Sequence, residues 1–286
     1  MKKIQLAVIG GSGLYDMEGL LNVEEVDIST PFGKPSDSII CGELNGRMIA
    51  FLPRHGRGHR ILPSEVNSRA NIYALKTLGV ERIISVSACG SLKEKYKPTD
   101  IVIPDQIFDN TKSRGRNTFF GSGVVAHIQF ARPYCSELSG VLYESVKATG
   151  AAVHSGGAFA IIEGPRFSTK AESKFYRFID ADIIGMTAMP EAALAREAEI
   201  CYATMAHVTD YDVWRESEEV SVERVVANLN RNTSVAKQAI KNALSKIGER
   251  KCSCGSALEN AIMTEPGLIQ ETNKKKLSVI IGKYIK

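Results

Sequence analysis

Residues 6–13, LAVIGGSG, join a short apolar run to a turn made mostly of glycine. The run Leu6–Ile9 does not alternate apolar and polar residues, so it predicts a strand buried on both faces of a sheet. Similar apolar runs recur along the chain, at Met48–Leu52, Arg82–Val86, Ile101–Ile103, Ala158–Ile162, Ile183–Met186 and Tyr202–Val208. Strands of this kind need helices packed on both faces of their sheet.

Segments with apolar residues at helical spacing separate these runs. They are Ser64–Leu78, Cys135–Thr149, Ser168–Phe178, Pro190–Ala198 and Ser221–Lys246. Strands that alternate with helices predict an α/β sandwich in one domain, with a mixed central β-sheet flanked by helices. We assign residues 1–250 to this domain and residues 251–286 to a C-terminal tail that is partly packed.

The composition excludes several classes of protein. Of 286 residues, 44% are hydrophobic and 24% are charged, which is ordinary for a globular protein. A net charge of +4 is too small to indicate a nucleic-acid partner. No apolar run approaches the about 18 residues of a membrane helix, and the N-terminal run lacks the features of a signal peptide. We therefore expect a cytoplasmic protein with no nucleic-acid or membrane partner.

Three segments rich in hydrogen-bond donors follow predicted strands. They are the glycine turn 10–13 with Ser12, residues 53–60 (PRHGRGHR) and residues 85–91 (SVSACGS). The carboxyl ends of strands in an α/β sheet bind ligands, and arginine suits multidentate contacts to phosphate, so the three segments predict a phosphate site. The glycine turn alone fits a dinucleotide loop or an unliganded tight turn equally well, although it departs from the G-x-G-x-x-G spacing.

Two carboxylates end the apolar run Cys201–Val208. Asp210 and Asp212 are two residues apart, so on a strand they face the same side. Neighbouring carboxylates raise the proton affinity of one another, and one of the pair can then be a general acid near neutral pH. A capped turn before Trp214 is the structural alternative.

Five motifs occur in order: PRHGRGH (53–59), SACGSL (87–92), IEGPRFST (162–169), GMTAMPE (185–191) and TDYD (209–212). Together they resemble the 5′-methylthioadenosine phosphorylases, within the trimeric purine nucleoside phosphorylases, from Leu6 to Ala243. The resemblance implies a pentosyltransferase that uses inorganic phosphate to convert methylthioadenosine into adenine and 5-methylthioribose 1-phosphate, as in purine and methionine salvage. It implies a homotrimer or a dimer of trimers, with neither a metal nor an organic cofactor.

The resemblance also implies a role for each matching position. The phosphate contacts are Ser12, Arg54, His55, Ser87 and Thr187, with a backbone contact at Ala88. Purine and ribose contacts are Phe167, Gly185, Met186, Asp210 and Asp212, of which the two aspartates are catalytic. The methylthio pocket has the walls Val222 and Val225, and His127 reaches into the neighbouring subunit's site. Many eukaryotic relatives have asparagine where this chain has Gly185, whereas archaeal-type relatives share Gly-Met-Thr.

Alternative functions remain open from the residues. Adenosine or methylthioinosine are alternative nucleosides for the same reaction, although the Asp-Tyr-Asp motif favours adenine and the two valines favour a thiomethyl group. A nicotinamide-dependent oxidoreductase is a remote alternative that rests on the glycine turn. A nucleoside-binding protein without catalytic activity is the third.

The six cysteines are Cys41, Cys89, Cys135, Cys201, Cys252 and Cys254, and their spacing forms no zinc-like array. Cysteines of most cytosolic proteins are reduced, so we expect six free thiols in a mesophilic source. Archaeal-type relatives carry paired cysteines on the segments of Cys135 and Cys201, and a Cys-x-Cys pair near the end of the chain. For a hyperthermophilic source, the resemblance therefore implies the disulfides Cys135–Cys201 and Cys252–Cys254.

Overall fold

The computed structural model describes residues 4–112, 117–215 and 220–285, apart from the side chain of Ser12. In these residues a sheet of eleven strands forms the centre of the molecule. The strands are β1 (Leu6–Gly10), β2 (Leu21–Val26), β3 (Ile39–Leu44), β4 (Arg47–Pro53), β5 (Arg82–Ser91), β6 (Ile101–Ile103), β7 (Gln106–Asn110), β8 (Val153–Ser155), β9 (Ala158–Ile162), β10 (Ile183–Gly185) and β11 (Cys201–Asp210).

The helices lie on both faces of the sheet. They are α1 (Ser68–Thr77), α2 (Ser136–Lys147), α3 (Lys170–Phe178), α4 (Ala188–Glu197), α5 (Val222–Lys246), α6 (Glu271–Lys276) and α7 (Ser278–Ile281). Local side-chain caps fix where several of them begin. The Thr169 hydroxyl accepts from the Glu172 amide before α3, and the Ser221 hydroxyl accepts from the Arg224 amide before α5.

The sheet branches at β5. Its path runs β2-β3-β4-β1-β5-β10-β9-β7, and β11 pairs with β5 and leads on to β6 and β8. β5 is ten residues long; its first half pairs with β1 and its last two residues pair with β10. Parallel and antiparallel pairs both occur, so the predicted α/β sandwich with a mixed sheet is confirmed. The branch leaves the carboxyl ends of β5 and β11 facing a common space.

Two apolar cores hold the helices to the sheet. One core joins α1 and α4 to the C-terminal residues, and it includes the fully buried Ile72, Leu194 and Leu258. The other packs α2 and α5 against the opposite face through residues such as Leu142 and Ile240. Helix α5 is long enough to reach from this core to the branch of the sheet.

The tail packs onto the same core as α1 and α4. Ile269, Leu277 and Ile280 are each at most 3% exposed. The Tyr284 hydroxyl donates to the buried Glu199 carboxylate at 2.5 Å. The predicted boundary at residue 250 stays a prediction, because nothing in these contacts separates a domain from a tail. None of the helices in the described part of the chain is long and apolar enough to cross a bilayer.

The structure contains four strands that the sequence did not predict, namely β2, β3, β7 and β8. β2 (LNVEEV) is almost wholly exposed; it has no apolar run, and its alternation of apolar and polar residues breaks off after four residues, at Glu24. β7 (QIFDN) and β8 (VHS) contain at most two consecutive apolar residues, which is too few to predict a strand. All seven predicted strands are present, although β5 and β11 extend beyond the predicted ends into the residues of the candidate site.

Candidate active site

A cavity of about 580 Å³ lies where β5, β10 and β11 end, and α5 covers one side of it. Most of the predicted site residues line it. They are Arg54, His55, Ser87, Ala88, Phe167, Gly185, Met186, Thr187, Asp210, Asp212 and Val225. The five motifs, which are separated by up to 150 residues along the sequence, are thus brought to one place by the branched sheet.

Two predicted residues are not brought into this cavity, and the side chain of a third is not among those described. The side chain of Ser12 lies outside the described residues, although its neighbours Gly11 and Gly13 line the wall. Val222 is 67% exposed at the start of α5 and does not line the cavity of its own chain. His127 lies away from the cavity, where its amide donates to the Ala261 carbonyl.

Arg54 stands at one end of the cavity, directly after β4. It is 3% exposed, and its Nε donates to Glu191 Oε1 at 2.5 Å. Nη1 donates to the Val86 carbonyl and Nη2 to the Ser85 hydroxyl. Burial alone lowers the pKa of Arg54, but the Glu191 carboxylate raises it overall, so the guanidinium remains charged. These contacts fix its plane, and one N–H of Nη1 is left for a ligand.

Glu191 is a site residue that the sequence analysis missed. It is 1% exposed, and it binds Arg54 while accepting a hydrogen bond from the Tyr202 hydroxyl at 2.9 Å. A carboxylate buried this deeply requires a fixed cationic partner. The available signal was its place in the GMTAMPE motif, beside the proline of a helix start.

His55 is a neutral ring at the same end. Burial first, and then the Arg54 charge, lowers the pKa of His55 to about 4. Nδ1 lies 2.8 Å from the Ile61 carbonyl, which can only accept, so Nδ1 carries the proton. Nε2 is consequently an acceptor. It suits the P–OH group of monohydrogen phosphate, so His55 can position that anion without transferring a proton.

Two hydroxyls complete the anion-binding end. Ser87 Oγ on β5 and Thr187 Oγ1 before α4 lie 2.8 Å apart, and either can donate to the other. A hydroxyl that is not donating to its partner can donate to a ligand in the cavity. Together with Arg54, they offer an oxyanion a fixed set of donors from three different strand ends.

The opposite end of the cavity contains the two carboxyl groups. A bulge in β11 shifts the register between Val208 and Asp210, and this turns the end of the strand towards the cavity. Burial raises the pKa of Asp210, against hydrogen bonds from the Thr209 hydroxyl at 2.7 Å and the Asp212 amide at 2.8 Å.

Thr209 links Asp210 to the backbone of β5. Its Oγ1 also lies 3.1 Å from the Cys89 carbonyl, yet a hydroxyl has one proton. When Thr209 donates to Cys89, the contact with Asp210 Oδ2 requires a proton on Asp210. When Asp210 is ionised, Thr209 turns to donate to it. The pair therefore accommodates both protonation states of Asp210.

Asp212 has an unpaired oxygen. Burial raises its pKa, and its Oδ2 has no hydrogen-bond partner among the described residues. The buried hydroxyls of Ser168 and Ser173 also have no partner at hydrogen-bond geometry, yet they lie close enough to lower the pKa of Asp212 against the effect of burial. The Asp212 carboxyl can therefore accept from a ligand donor in the cavity or from these two neighbouring hydroxyls.

Close backbone packing aligns these groups. A Cβ on Gly90 would lie 2.9 Å from Asp210 Oδ1 and 3.1 Å from Ile184, which leaves no room for a side chain. A Cβ on Gly185 would lie 2.9 Å from two ring atoms of Phe159 and 3.3 Å from the Ala88 carbonyl. Both glycines thus hold adjacent strands within contact distance of the carboxyl groups.

His207 is another residue that the sequence analysis missed. It is 1% exposed, it lines the cavity, and neither ring nitrogen has a partner among the described residues. Burial lowers the pKa of His207 to about 4, so the ring is neutral. It is hidden in sequence because it sits inside the apolar run of β11, where a core histidine is the ordinary interpretation.

The chain is similar to phosphorylases along its length. The sequence model of the phosphorylase superfamily matches residues 5–245. An S-methyl-5′-thioadenosine phosphorylase of Geobacter sulfurreducens is 55% identical over 282 residues, covering 98% of this chain and 99% of the relative. One of Hyperthermus butylicus is 52% identical over 266 residues, covering 91% and 96%.

Solved structures agree with the sequence comparison. A methylthioadenosine phosphorylase sourced from an antarctic soil metagenomic library has a TM-score of 0.94 and 50% identity, and the match covers 98% of this chain and 99% of that one. A Schistosoma mansoni methylthioadenosine phosphorylase in complex with tubercidin has a TM-score of 0.82 and 36% identity, with 90% and 96% covered. The nicotinamide-dependent alternative is thereby excluded. The chain belongs to the phosphorylase superfamily and, within it, to the S-methyl-5′-thioadenosine phosphorylases.

Proposed function

We propose that this chain catalyses phosphorolysis of 5′-methylthioadenosine to adenine and 5-methylthioribose 1-phosphate. One observation carries the proposal: a single cavity has a cationic, donor-rich end at Arg54 and a pair of buried carboxyl groups, Asp210 and Asp212, at the other. The reaction needs an anion on one side of C1′ and an acid at the departing base. Relatives that are about half identical to this chain bear the matching name.

Asp210 is the acid of this mechanism. Its pKa is raised by burial, and the Thr209 contact tolerates a protonated carboxyl. A proton from Asp210 reaches purine N7 as the glycosidic bond breaks, so adenine leaves as a neutral base. The unpaired Asp212 Oδ2 accepts a hydrogen bond from the exocyclic amine, which a 6-oxopurine lacks.

Phosphate acts from the opposite face of the sugar. As the base departs, the sugar becomes cationic, and the anion held by Arg54, Ser87 and Thr187 stabilises this charge. A phosphate oxygen then bonds to C1′ with inversion of configuration. His55 accepts the hydrogen bond of the P–OH group and transfers no proton in the reaction.

The 5′ end of the nucleoside faces α5. Val225 and Leu229 lie one turn apart on the cavity side of the helix and offer apolar walls to a thiomethyl group. Adenosine is a second candidate substrate, because Thr233, one turn further along the same face, donates its own proton to the Leu229 carbonyl and leaves its oxygen to accept from a 5′-hydroxyl. A related solved structure is that of a mutant adenosine/methylthioadenosine phosphorylase of Schistosoma mansoni.

The assembly proposed for this function is a homotrimer or a dimer of trimers in the cytoplasm. His127 and the exposed Val222 lie away from their own cavity, as expected if they complete a pocket on a neighbouring subunit. The reaction as proposed uses no organic cofactor. Inorganic phosphate is its second substrate.

The test is release of adenine from methylthioadenosine with and without phosphate, followed by chromatography, for the wild-type protein and Asp210→Ala. We expect phosphate-dependent release and a fall in kcat of about 10²–10⁴-fold in the variant, which is the usual contribution of a general acid. Asp210→Asn should also shift preference towards 6-oxopurine nucleosides.

Asp180→Asn is the matched control. This aspartate is exposed, pairs with Lys93 outside the cavity, and has a left-handed backbone (φ 65°) that asparagine tolerates. Its activity should equal that of the wild-type protein. Adenine release that ignores phosphate, or a loss in Asp210→Ala below about tenfold, would contradict the mechanism.

A further inference from the structure

Four cysteine sulfurs meet at the start of β11, at the opposite end of the strand from the candidate active site. They belong to Cys135, Cys201, Cys252 and Cys254, and all four lie within 4.8 Å of one another. The sulfurs of Cys201 and Cys252 are 3.3 Å apart. Three of these side chains are buried, with exposures of 3%, 1% and 6%, and Cys252 is half-buried.

Three separate segments supply the sulfurs. Cys135 is the residue before α2, where its Sγ accepts from the Leu138 amide at 3.5 Å, and Cys201 is the first residue of β11. Cys252 and Cys254 flank Ser253, where a short 3₁₀ turn of the tail begins. No spacing in the sequence displays this set, which explains why the sequence analysis found no zinc-like array.

The geometry fits a tetrahedral ion. Four sulfurs about 2.3 Å from a zinc ion lie about 3.8 Å apart, within the range seen here. A disulfide needs about 2.05 Å between two sulfurs, and it uses them in pairs rather than as a group of four. Four protein ligands without an open position are typical of structural zinc and not of catalytic zinc.

The surroundings suit negative charge on the sulfurs. The amide at the start of α2 already donates to Cys135, in the manner that stabilises a thiolate at a helix N-terminus. Arg82 on β5 is the register partner of Cys201 and is 3% exposed, so a buried cationic residue lies on the strand next to the cluster. Part of that charge is shared with Glu81 and Glu137, each 3.7 Å away.

We propose that Cys135, Cys201, Cys252 and Cys254 form a closed tetrathiolate site for one structural Zn²⁺ ion per chain. On binding, the four thiols release their protons to solvent and four S–Zn bonds form, with no change in oxidation state. The ion cross-links the tail to β11 and α2. Cys252 and Cys254 lie beyond the superfamily match at 5–245, so the site would fasten the tail to the part of the chain that the superfamily model matches.

The first experiment measures metal in the protein as purified from zinc-containing medium, by mass spectrometry of the elements. We expect one zinc per chain in the wild-type protein and close to none in Cys201→Ser or Cys254→Ser. Cys41→Ser is the matched control, because Cys41 is buried in β3 outside the cluster, and it should keep its zinc.

The second experiment uses the wild-type protein alone, so it does not depend on the folding of a variant. Removal of zinc by a strong chelator should lower Tm, and added zinc should restore it. Cobalt in place of zinc should give the intense visible absorption of tetrahedral thiolate coordination.

Two outcomes would overturn the proposal. One is the intact mass of two disulfides in unreduced, denatured protein, which is four hydrogens below that of the thiol form and would support the Cys135–Cys201 and Cys252–Cys254 pairings instead. The other is zinc-free protein with six titratable thiols and a Tm that does not respond to zinc. Neither outcome would contradict the proposed phosphorylase activity, because the candidate active site lies at the opposite end of β5 and β11.

Discussion

Glu197, the last residue of α4, is a buried carboxyl whose raised pKa makes the stability of the fold depend on pH. The side chain accepts from the Thr118 hydroxyl and the Phe119 amide, both at 2.7 Å, and the residue is 5% exposed. Burial raises the pKa of Glu197 from 4.5 to about 7, against those two hydrogen bonds. Glutamine at this position can accept from Phe119 and donate to Thr118, so it imitates the protonated carboxyl.

The direction of the pH effect follows from the raised pKa. Below pH 4.5 the carboxyl is protonated in the folded and unfolded states alike, and its contribution to the free energy of unfolding is full. As the pH rises from 4.5 towards 7, the unfolded chain ionises while the folded carboxyl keeps its proton, so this contribution falls, and it is gone once the pH has passed through 7. A pKa raised by about 2.5, at about 1.36 kcal/mol for each pH unit, gives a loss of about 3 kcal/mol, of which about 2–3 kcal/mol falls between pH 5 and 8.5.

Glu197→Gln lacks this titration, so relative to wild type it should gain about 2–3 kcal/mol of unfolding free energy between pH 5 and pH 8.5. Urea unfolding followed by fluorescence of the single tryptophan, Trp214, measures both proteins at both pH values. The exposed Glu144→Gln serves as the control and should track wild type. The reasoning is refuted if the difference between Glu197→Gln and wild type is the same at both pH values.

The remaining predictions concern the active cavity. Arg54→Ala should raise KM for phosphate about tenfold to a hundredfold, because it removes a charged hydrogen bond worth about 1.5–3 kcal/mol. KM for the nucleoside should change less. If steady-state kinetics show the larger change for the nucleoside, phosphate does not bind at Arg54. Val225→Ser should lower kcat/KM for methylthioadenosine relative to adenosine by about 10–200-fold, and an unchanged ratio would remove Val225 from the 5′ pocket. His127→Ala should reduce activity in an intact oligomer, and light scattering that finds a fully active monomer would end the intersubunit role.

The apolar strands were predictable because burial on both faces leaves its mark on local sequence. Leu6–Ile9 and Ala158–Ile162 need no partner to be recognised as strands. The cavity was predictable for a related reason: parallel strand ends converge, so motifs at those ends converge with them. β2 was not predictable, because an exposed edge strand such as Leu21–Val26 is specified only by its pairing with β3.

What the sequence concealed depends on contacts between distant residues. Glu191 and Arg54 are 137 positions apart, and only the packing of α4 against β5 and β11 reveals that one holds the other. His207 has the sequence environment of a core residue, and only its place in the cavity wall, with both ring nitrogens unpaired among the described residues, identifies it as a site residue. The four sulfurs are a similar case, since their segments meet through β11, α2 and the tail.

The packing at Gly185 constrains how this site can change over evolutionary time. The ring of Phe159, 2.9 Å from where a Cβ would lie, occupies the space that any side chain at 185 would need. A substitution at 185 made alone collides with the ring, whereas a smaller residue at 159 opens a void that a side chain at 185 can fill. The two positions are therefore coupled, and a change at 185 is tolerated best when a smaller residue at 159 precedes it.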